Sequence, residues 1–361
     1  VLAGWPGRTE SFWQRVGRAG RAGSDGLAVF IARPDPLDTY LVHNPHVLFA
    51  KSAEATVFDP NNPYVLGAHL CAAAAEMPLT EAELADFGPQ APAVLDRLVA
   101  QGALRRRANG WYWTHAESAS LLTDLRGSDA SEVRIVDAHS QELIGTVSAQ
   151  QADATVHPGA VYLHQGVSYL VEALDLRDGV ALVSTGAHDY HTWANWDSDV
   201  TIREVLDERQ FGPLTWNYGE VLVSSQVTGY LRRITATGEV LDHNELTMPM
   251  RTLTTKSTWW TLPEDVLLEA GVPAEHLLGA LHAAEHAAIG MLPLTAYCDR
   301  WDLGGLSTRM HADTGLPTVF VHDAHGGGAG FAERGYLKAR QWLSATLAAV
   351  SSCECASGGP G

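Results

Sequence analysis

The stretch Leu104-Arg-Arg-Arg-Ala-Asn-Gly-Trp-Tyr-Trp113 decides the fold of the first third of the chain. An Asn-Gly pair between two strand-like runs is a strong signal for a β-hairpin, because these residues readily adopt the backbone of a tight turn. Gly102 stands just before the hairpin, where a glycine commonly ends a helix. The segment therefore predicts a hairpin that directly follows a helix.

Helical patterns precede this hairpin. Residues 63–75 and 91–101 carry apolar residues at helical spacing. Between them, Thr80-Glu-Ala-Glu83 is a capping box that predicts the start of a short second helix. Three helices followed by a β-hairpin form a winged helix, and we expect this domain to cover residues 51–128.

The hairpin carries candidate DNA-binding residues. Arg105, Arg106 and Arg107 lie on one strand, and Trp111 and Trp113 lie on the other. Contact with DNA is the favoured interpretation, because such a wing combines positive charge with stacking surfaces. The alternative is a solvated strand edge whose charges discourage aggregation.

The overall charge is acidic. The 361 residues include 24 Lys and Arg and 42 Asp and Glu, which gives a net charge of −18. This balance argues against a surface that is basic all over, but nucleic-acid binding depends on local basic patches. A DNA-binding or scaffold module without chemistry of its own is therefore one hypothesis for the chain.

Residues 14–21 read Gln-Arg-Val-Gly-Arg-Ala-Gly-Arg, a pattern suited to clamp phosphate. The glycines let the backbone approach a ligand closely, and each guanidinium offers a fork of donors to phosphate oxygens. Gln14, Arg18 and Arg21 are the candidate catalytic residues. The sequence contains neither a Gly-x-x-x-x-Gly-Lys-Ser/Thr loop nor an Asp-Glu-x-His box, which would hold the nucleotide and its magnesium. We therefore expect this chain alone not to hydrolyse ATP.

The remaining segments predict a multidomain α+β fold. Residues 26–32 form a continuous apolar run, which is typical of a buried parallel strand. Between about residues 130 and 260, short alternating segments separated by Gly or polar turns predict a β-barrel or sandwich. The elements expected after it are helices over 264–270, 273–291 and 328–350 and a buried strand over 316–323.

Further segments suggest a relationship that covers nearly the whole chain. They are Asn62-Pro-Tyr-Val-Leu66, His157-Pro-Gly-Ala160, Tyr162-Leu-His-Gln-Gly166, Glu285-His286, Cys298-Asp-Arg-Trp-Asp-Leu-Gly-Gly305, His325-Gly-Gly-Gly-Ala-Gly330 and Cys353-Glu-Cys355. In this order they resemble the MrfA-type and SftH-type DNA repair helicases of superfamily 2. Residues 14–21 resemble motif VI of that superfamily, which lends arginine fingers to ATP on the neighbouring RecA-like lobe.

The resemblance implies an ATP-dependent 3′-to-5′ DNA helicase that acts in DNA repair. Gln14, Arg18 and Arg21 would face the ATP phosphates, with ATP and Mg²⁺ as cofactors of the full-length protein. The implied partners are single-stranded DNA, duplex DNA and the missing N-terminal RecA-like lobe, with no membrane involved. We expect a cytoplasmic, nucleoid-associated protein.

The resemblance also implies a domain order. Residues 1–50 would be the end of the second RecA-like motor domain, and 51–128 the winged-helix domain. Residues 129–361 would form an MrfA-type C-terminal domain that is β-rich over 129–262 and mixed α/β over 263–361. The chain is thus expected to be the C-terminal fragment of a larger ATPase: a remnant of the RecA-like lobe, a winged helix, and a β-barrel-like and helical accessory domain.

The family resemblance implies a zinc site that uses cysteines. Cys298, Cys353 and Cys355 match its pattern, whereas Gly359 stands where the family has another cysteine. Three thiolates remain for an ion that usually takes four ligands, so the zinc site is incomplete here. In the alternative interpretation, the last nine residues are a frayed tail. Cys71 is predicted to be a buried small apolar residue.

A rival hypothesis rests on His282-Ala-Ala-Glu285-His286, which matches the pattern of inverted zinc peptidases. On a helix, His282 and His286 lie one turn apart and could chelate zinc, with Glu285 as base and Glu354 as a third ligand. The same helix resembles a helicase-family segment, however, so a structural role for His286 is the alternative.

Two other sets carry weaker signals. The Gly-rich run 326–330 precedes a helix, so its amides could bind an anion, although tight strand-to-helix packing is the favoured interpretation. Asp299, Asp302 and Asp323 form a scattered acidic set for which structural capping is predicted.

Overall fold

The computed structural model describes residues 1–20, 23–49, 57–123 and 132–352. Its α-helices are α1 (Thr9–Val16), α2 (Pro36–His43), α3 (His46–Phe49), α4 (Pro63–Glu76), α5 (Ala91–Ala100), α6 (Ala149–Thr155), α7 (Glu264–Glu269), α8 (Leu277–Met291), α9 (Phe331–Leu337) and α10 (Ala339–Ser351). Short 3₁₀ helices cover Glu81–Phe87, Ala119–Leu122, Ala274–His276, Leu292–Leu294 and Arg300–Asp302.

The strands complete a mixed α+β fold, as the sequence predicted. They are β1 (Leu2–Ala3), β2 (Phe30–Ile31), β3 (Leu104–Arg107), β4 (Gly110–Trp113), β5 (Glu132–Asp137), β6 (Leu143–Ser148), β7 (Val161–His164), β8 (Val167–Asp175), β9 (Val180–Thr185), β10 (Tyr190–Phe211), β11 (Leu214–Ile234), β12 (Val240–Glu245), β13 (Arg251–Thr261), β14 (Leu303–Thr308) and β15 (Thr318–Asp323).

The chain folds into two compact units, each built from separate stretches of sequence. The first unit comprises residues 1–62, 200–222 and 254–361, and the second comprises 63–199 and 223–253. The long strands β10 and β11 contribute residues to both. The domain limits expected at residues 50 and 128 stay predictions.

The second unit contains the winged helix. Leu70, Cys71 and Leu95 lie in the core between α4 and α5, which confirms Cys71 as a buried apolar residue. Gly110 has to be glycine, because a Cβ there would lie 2.3 Å from the carbonyl oxygen of Leu79. This close approach lets residue 79 pair with β4 through two backbone hydrogen bonds.

The predicted second helix is a 3₁₀ helix rather than an α-helix. Its capping box is present, and the Glu83 carboxylate accepts a hydrogen bond of 2.8 Å from the backbone N–H of Thr80. Gly88, at φ 83°, then ends the segment after seven residues. Such a short segment gains few i→i−4 bonds, so the tighter i→i−3 pattern competes well.

The rest of the second unit contains a five-stranded sheet in the order β6-β5-β9-β8-β7. β5 and β9 are parallel, and the other neighbouring strands of this sheet are antiparallel. Asp153 on α6 is buried and pairs through both oxygens with Arg251, at 2.6 and 3.0 Å. This bidentate pair fixes the helix against the start of β13.

Three tryptophans form the centre of the first unit. Trp216 stacks on Trp260 with ring centroids 5.1 Å apart, and Trp342 meets both rings edge-on. The indole N–H of Trp342 donates to the carbonyl oxygen of Ala288 at 2.7 Å. The aromatic cluster therefore joins α10 to α8 and to the sheet that contains β13, β15 and β14.

Several predicted elements differ in length. The expected strand at 26–32 is confined to Phe30–Ile31, which pairs in parallel with β1, and Leu27 is 83% exposed. The expected helix at 328–350 is divided into α9 and α10 at Lys338, whose φ is −105°. Short segments were expected between about residues 130 and 260, but β10 and β11 are single strands of 22 and 21 residues.

One segment of the described chain, Ala274–Leu294, is long and apolar enough to cross a membrane by length and composition. Half of it is buried inside the structure, and it contains His282, Glu285 and His286. Both observations are typical of a core helix, so the segment gives only weak evidence for membrane insertion.

The winged-helix core leads to a stability prediction. Leu95 is fully buried, so Leu95→Ala should lower the free energy of unfolding by about 2–5 kcal/mol through lost burial and a residual cavity. Denaturant titration followed by circular dichroism measures the change. Asp96→Ala, at the exposed neighbouring position, is the matched control, and an equal loss in both variants would contradict the core assignment.

Candidate functional site

The segment with the predicted phosphate clamp begins on α1. Phe12 anchors this helix in the core and stacks on Trp5, with ring centroids 5.6 Å apart. Gln14 and Arg18 are exposed, on the helix and just after it, whereas Arg21 lies outside the described residues. The two described candidates are thus accessible to a ligand or a neighbouring domain.

The backbone around this segment is held by specific contacts. The carboxylate of Asp38 accepts hydrogen bonds from the backbone N–H groups of Trp5 at 2.9 Å and Arg33 at 2.7 Å. Gly20, at φ 69°, closes the following loop so tightly that a Cβ would lie 2.5 Å from the carbonyl oxygen of Ser24. Gly20, predicted to permit close approach of a ligand, is therefore also required by the packing of its own backbone.

The wing presents its three arginines on β3. Arg105, Arg106 and Arg107 are exposed and pair in register with Tyr112, Trp111 and Gly110 of β4. They differ in their surroundings, however. Arg106 forms an ion pair of 2.8 Å with Glu81 and lies 5.1 Å from the ring of Trp111, while Arg107 lies 5.1 Å from the ring of Tyr112.

The two predicted stacking tryptophans occupy different positions. Trp111 is 4% exposed and belongs to the winged-helix core, which corrects the expectation of a surface stacking residue at this position. It is buried because β4 turns this face toward Leu79 and α4. Trp113 is half-buried, and its indole N–H donates to the carbonyl oxygen of Glu117 at 2.9 Å.

The predicted zinc site is represented by one cysteine in the described part of the chain. Cys298 is buried, and Cys353 and Cys355 lie outside the described residues. Burial raises the pKa of the Cys298 thiol, and the nearby carboxylates of Asp302 and Asp323 raise it further. Soft sulfur in negatively charged surroundings suits a bound cation such as Zn²⁺, which would deprotonate the thiol.

The acidic set has the structural role that the sequence predicted. Asp299 and Asp302 form a capping box on the 3₁₀ helix Arg300–Asp302. Oδ1 of Asp302 also lies 3.2 Å from Nε2 of His325. Asp323 is fully buried at the end of β15.

The carboxylate of Asp323 accepts hydrogen bonds from backbone amides in and just after the Gly-rich run. It accepts hydrogen bonds from the backbone N–H groups of Ala329 at 2.6 Å, Gly330 at 2.9 Å and Ala332 at 2.8 Å. These are the donors that could otherwise bind an external anion at the start of α9. The Gly-rich run thus packs the end of β15 tightly against the start of α9, which is the interpretation that the sequence favoured.

The peptidase-like motif lies on α8, beside a cleft of about 1170 Å³ in the first unit. The ring centroids of His282 and His286 are 4.4 Å apart, and both residues line the cleft. Glu285 is buried and accepts a hydrogen bond of 2.6 Å from the hydroxyl of Ser307. Burial and the neighbouring His282 lower the pKa of His286. Glu354, the expected third ligand, lies outside the described residues.

Sequence reasoning missed two residues of these sites. Ser307 on β14 holds Glu285, and Glu81 neutralises Arg106. Each lies more than 20 positions from its partner, so no local motif could indicate the pairing. Only the antiparallel sheet and the winged-helix packing bring them together.

The described features define a class of protein. A winged helix that presents a row of exposed arginines on its wing has the local basic stripe that is typical of a nucleic-acid-binding domain.

Comparisons with known proteins find two matching domain families and several similar helicases. Residues 284–361 match the MrfA Zn-binding domain, and residues 58–127 match the winged helix domain of the ATP-dependent helicase HRQ1. The uncharacterized ATP-dependent helicase YprA of Bacillus subtilis is 30% identical over 370 residues, with 100% of this chain and 48% of that protein covered. The ATP-dependent helicase HRQ1 of Saccharomyces cerevisiae is 23% identical over 383 residues, with 100% of this chain and 35% of that protein covered.

Solved structures agree with this relationship. The crystal structure of DUF1998 helicase MrfA bound to DNA matches with a TM-score of 0.61 and 28% sequence identity. The match covers 100% of this chain and 48% of the MrfA chain. A structure of the same helicase described without DNA matches with a TM-score of 0.64 and 26% sequence identity. This match covers 100% of this chain and 51% of the MrfA chain. The predicted relationship is confirmed: the chain corresponds to the C-terminal region of MrfA-type helicases, and it spans about half the length of the Bacillus relative.

The buried carboxylate of Asp323 predicts a pH dependence. Burial raises its pKa to about 6, above the ordinary value of 3.8, although three backbone amides oppose this shift. Between these two values the folded state binds the proton more tightly than the unfolded state, so the stability contributed by this group falls as the pH rises through that window. Asparagine cannot titrate. The free energy of unfolding of the wild type minus that of Asp323→Asn should therefore decrease between about pH 4 and 6 and then level off.

Urea titrations at several pH values measure this difference. Asp313→Asn, at an exposed carboxylate of the same unit, is the control for a general effect of charge removal. A difference that stays flat from pH 4 to 6, or that grows with pH, would show that Asp323 is ionised throughout.

Proposed function

We propose that this chain is the DNA-holding C-terminal part of an ATP-dependent 3′-to-5′ DNA helicase of superfamily 2 that acts in DNA repair. The observation that carries the proposal is the exposed row of arginines on the wing strand β3. The similarity of the whole chain to a helicase structure described as bound to DNA supports it. The helicase relatives favour this function over a zinc peptidase.

The arginines differ in how freely they can meet phosphate. Arg105 and Arg107 have no ion-pair partner within the described segments, so each can offer its full charge to a backbone phosphate. Arg106 is already paired with Glu81 and would have to give up that contact. We therefore propose Arg105 and Arg107 as the principal contacts, with Trp113 as a minor stacking surface.

The second proposed role concerns the nucleotide. Gln14, Arg18 and Arg21 would complete an ATP site with Mg²⁺ on an N-terminal RecA-like lobe, where guanidinium groups neutralise charge that develops during phosphoryl transfer. The exposure of Gln14 and Arg18 and the anchoring of α1 by Phe12 support this role.

A zinc ion is proposed as the metal of the C-terminal region. The match to an MrfA Zn-binding domain and the acidic surroundings of the Cys298 thiol support it. Cys298 with Cys353 and Cys355 would supply three thiolates, and such structural sites contribute directly to folding energy.

The wing leads to a binding prediction. Arg105→Ala and Arg107→Ala should each weaken binding to labelled single-stranded DNA and lower the slope of log K against log salt by about 0.7 per lost phosphate contact. Arg106→Ala should have a smaller effect, because Glu81 already neutralises this arginine. Fluorescence anisotropy over a salt series measures both quantities, and a parallel series with duplex DNA distinguishes the two substrates.

Arg177→Ala is the matched control, since Arg177 is an exposed arginine of the same unit outside the winged helix. The wing is not the DNA contact if the wild type binds without salt sensitivity. Equal effects of Arg177→Ala and Arg105→Ala would lead to the same conclusion.

A separate prediction concerns ATP. The purified chain should release no phosphate from ATP above background, with or without single-stranded DNA, because it lacks a phosphate-cradling loop. A malachite-green assay tests this. DNA-stimulated release that is lost in Arg18→Ala would contradict the expectation that this chain needs a further lobe.

A further inference from the structure

Three potential metal ligands meet on one face of α8. Donor atoms of His282, Glu285 and His286 all lie within 4.8 Å of one another. Zinc–nitrogen and zinc–oxygen bonds of about 2.1 Å place the donors of a tetrahedral site about 3.4 Å apart. The group is therefore close to ligating geometry, and a modest side-chain rotation would complete it.

The central carboxylate is fixed in place by its surroundings. Glu285 accepts the Ser307 hydroxyl at 2.6 Å, and its side chain is 6% exposed. Gly305 makes room for it, because a Cβ there would lie 2.7 Å from Glu285 Oε1. Metal sites commonly use such outer contacts to orient their ligands.

His282 and Arg300, which flank the site, have the freedom that ion entry requires. The side chain of His282 is 62% exposed, so it can rotate toward Glu285, whose Oε2 already lies 3.3 Å from His282 Nδ1. On the other side, a guanidinium nitrogen of Arg300 lies 3.4 Å from His286 Nδ1. Arg300 is exposed and can withdraw into solvent. This arginine is the positive charge that a metal ion would replace.

We propose that His282, Glu285 and His286 form a binding site for a divalent ion of the zinc class, separate from the cysteines. The adjoining cleft of about 1170 Å³ leaves room for water to complete the coordination. Glu285 and His286 lie within residues 284–361, which match the Zn-binding domain, whereas His282 lies outside that match. All three ligands lie on α8, and the hydrogen bond from Ser307 connects the site to β14. The proposal does not depend on DNA binding.

Cobalt titration of the full chain tests the site, after the protein has been stripped with a chelator. Histidine and carboxylate ligands should give visible Co²⁺ bands without the near-ultraviolet charge-transfer band that thiolates produce. His282→Ala and His286→Ala should each weaken this thiolate-free component at least tenfold. Zinc competition gives the corresponding zinc affinity.

Two variants sharpen the test. His276→Ala, at an exposed histidine just before α8, should leave the component unchanged. Arg300→Ala should tighten binding, because it removes the competing cation beside His286. Circular dichroism checks that each variant is folded. The proposal is overturned if the wild type takes up no cobalt outside the thiolate component, or if that component is the same in His282→Ala and the wild type.

Discussion

The arrangement of the first unit depends on one buried carboxylate. Asp323 ends the buried strand β15, and its carboxylate accepts hydrogen bonds from three backbone N–H groups of the Gly-rich turn and the first residues of α9. The same turn is held from the other side by Asn62, whose amide donates to the carbonyl oxygens of Gly326 and Gly328 at 2.7 Å. Helix α10 and its Trp342 follow directly, so the tryptophan cluster is positioned only when this turn is closed.

The sequence predicted the local features of the fold well. The hairpin at 104–113 and the capping box at Thr80 are encoded by neighbouring residues, and both are present. The prediction of a buried strand over 26–32 was wrong for most of this run. Hydrophobicity indicates burial only when a second layer covers the strand, and Leu27 is exposed. Strand β13 pairs with the distant strand β15, which no short pattern reveals.

The same difference between local patterns and long-range contacts applies to the candidate sites. Residue types and spacing indicated the wing arginines and the His-x-x-Glu-His motif, since both sets are local in sequence. Their chemistry is set by distant partners. Glu81 forms an ion pair with Arg106, and the hydroxyl of Ser307 holds the carboxylate of Glu285 in one orientation. The burial of Trp111 likewise follows from packing beneath Leu79, which alternation along β4 alone could not decide.

The contact between Arg106 and the buried Trp111 has a consequence for recognition. The guanidinium lies 5.1 Å from an indole that is buried in the winged-helix core, and the backbone of Trp111 pairs with Leu79 through two hydrogen bonds, so the hairpin is fastened to the body of its domain at its middle. A fastened hairpin loses little conformational entropy when its neighbouring arginines meet a ligand. Association then resembles the docking of a rigid body, and differences in affinity between ligands should arise mainly in the rate of dissociation.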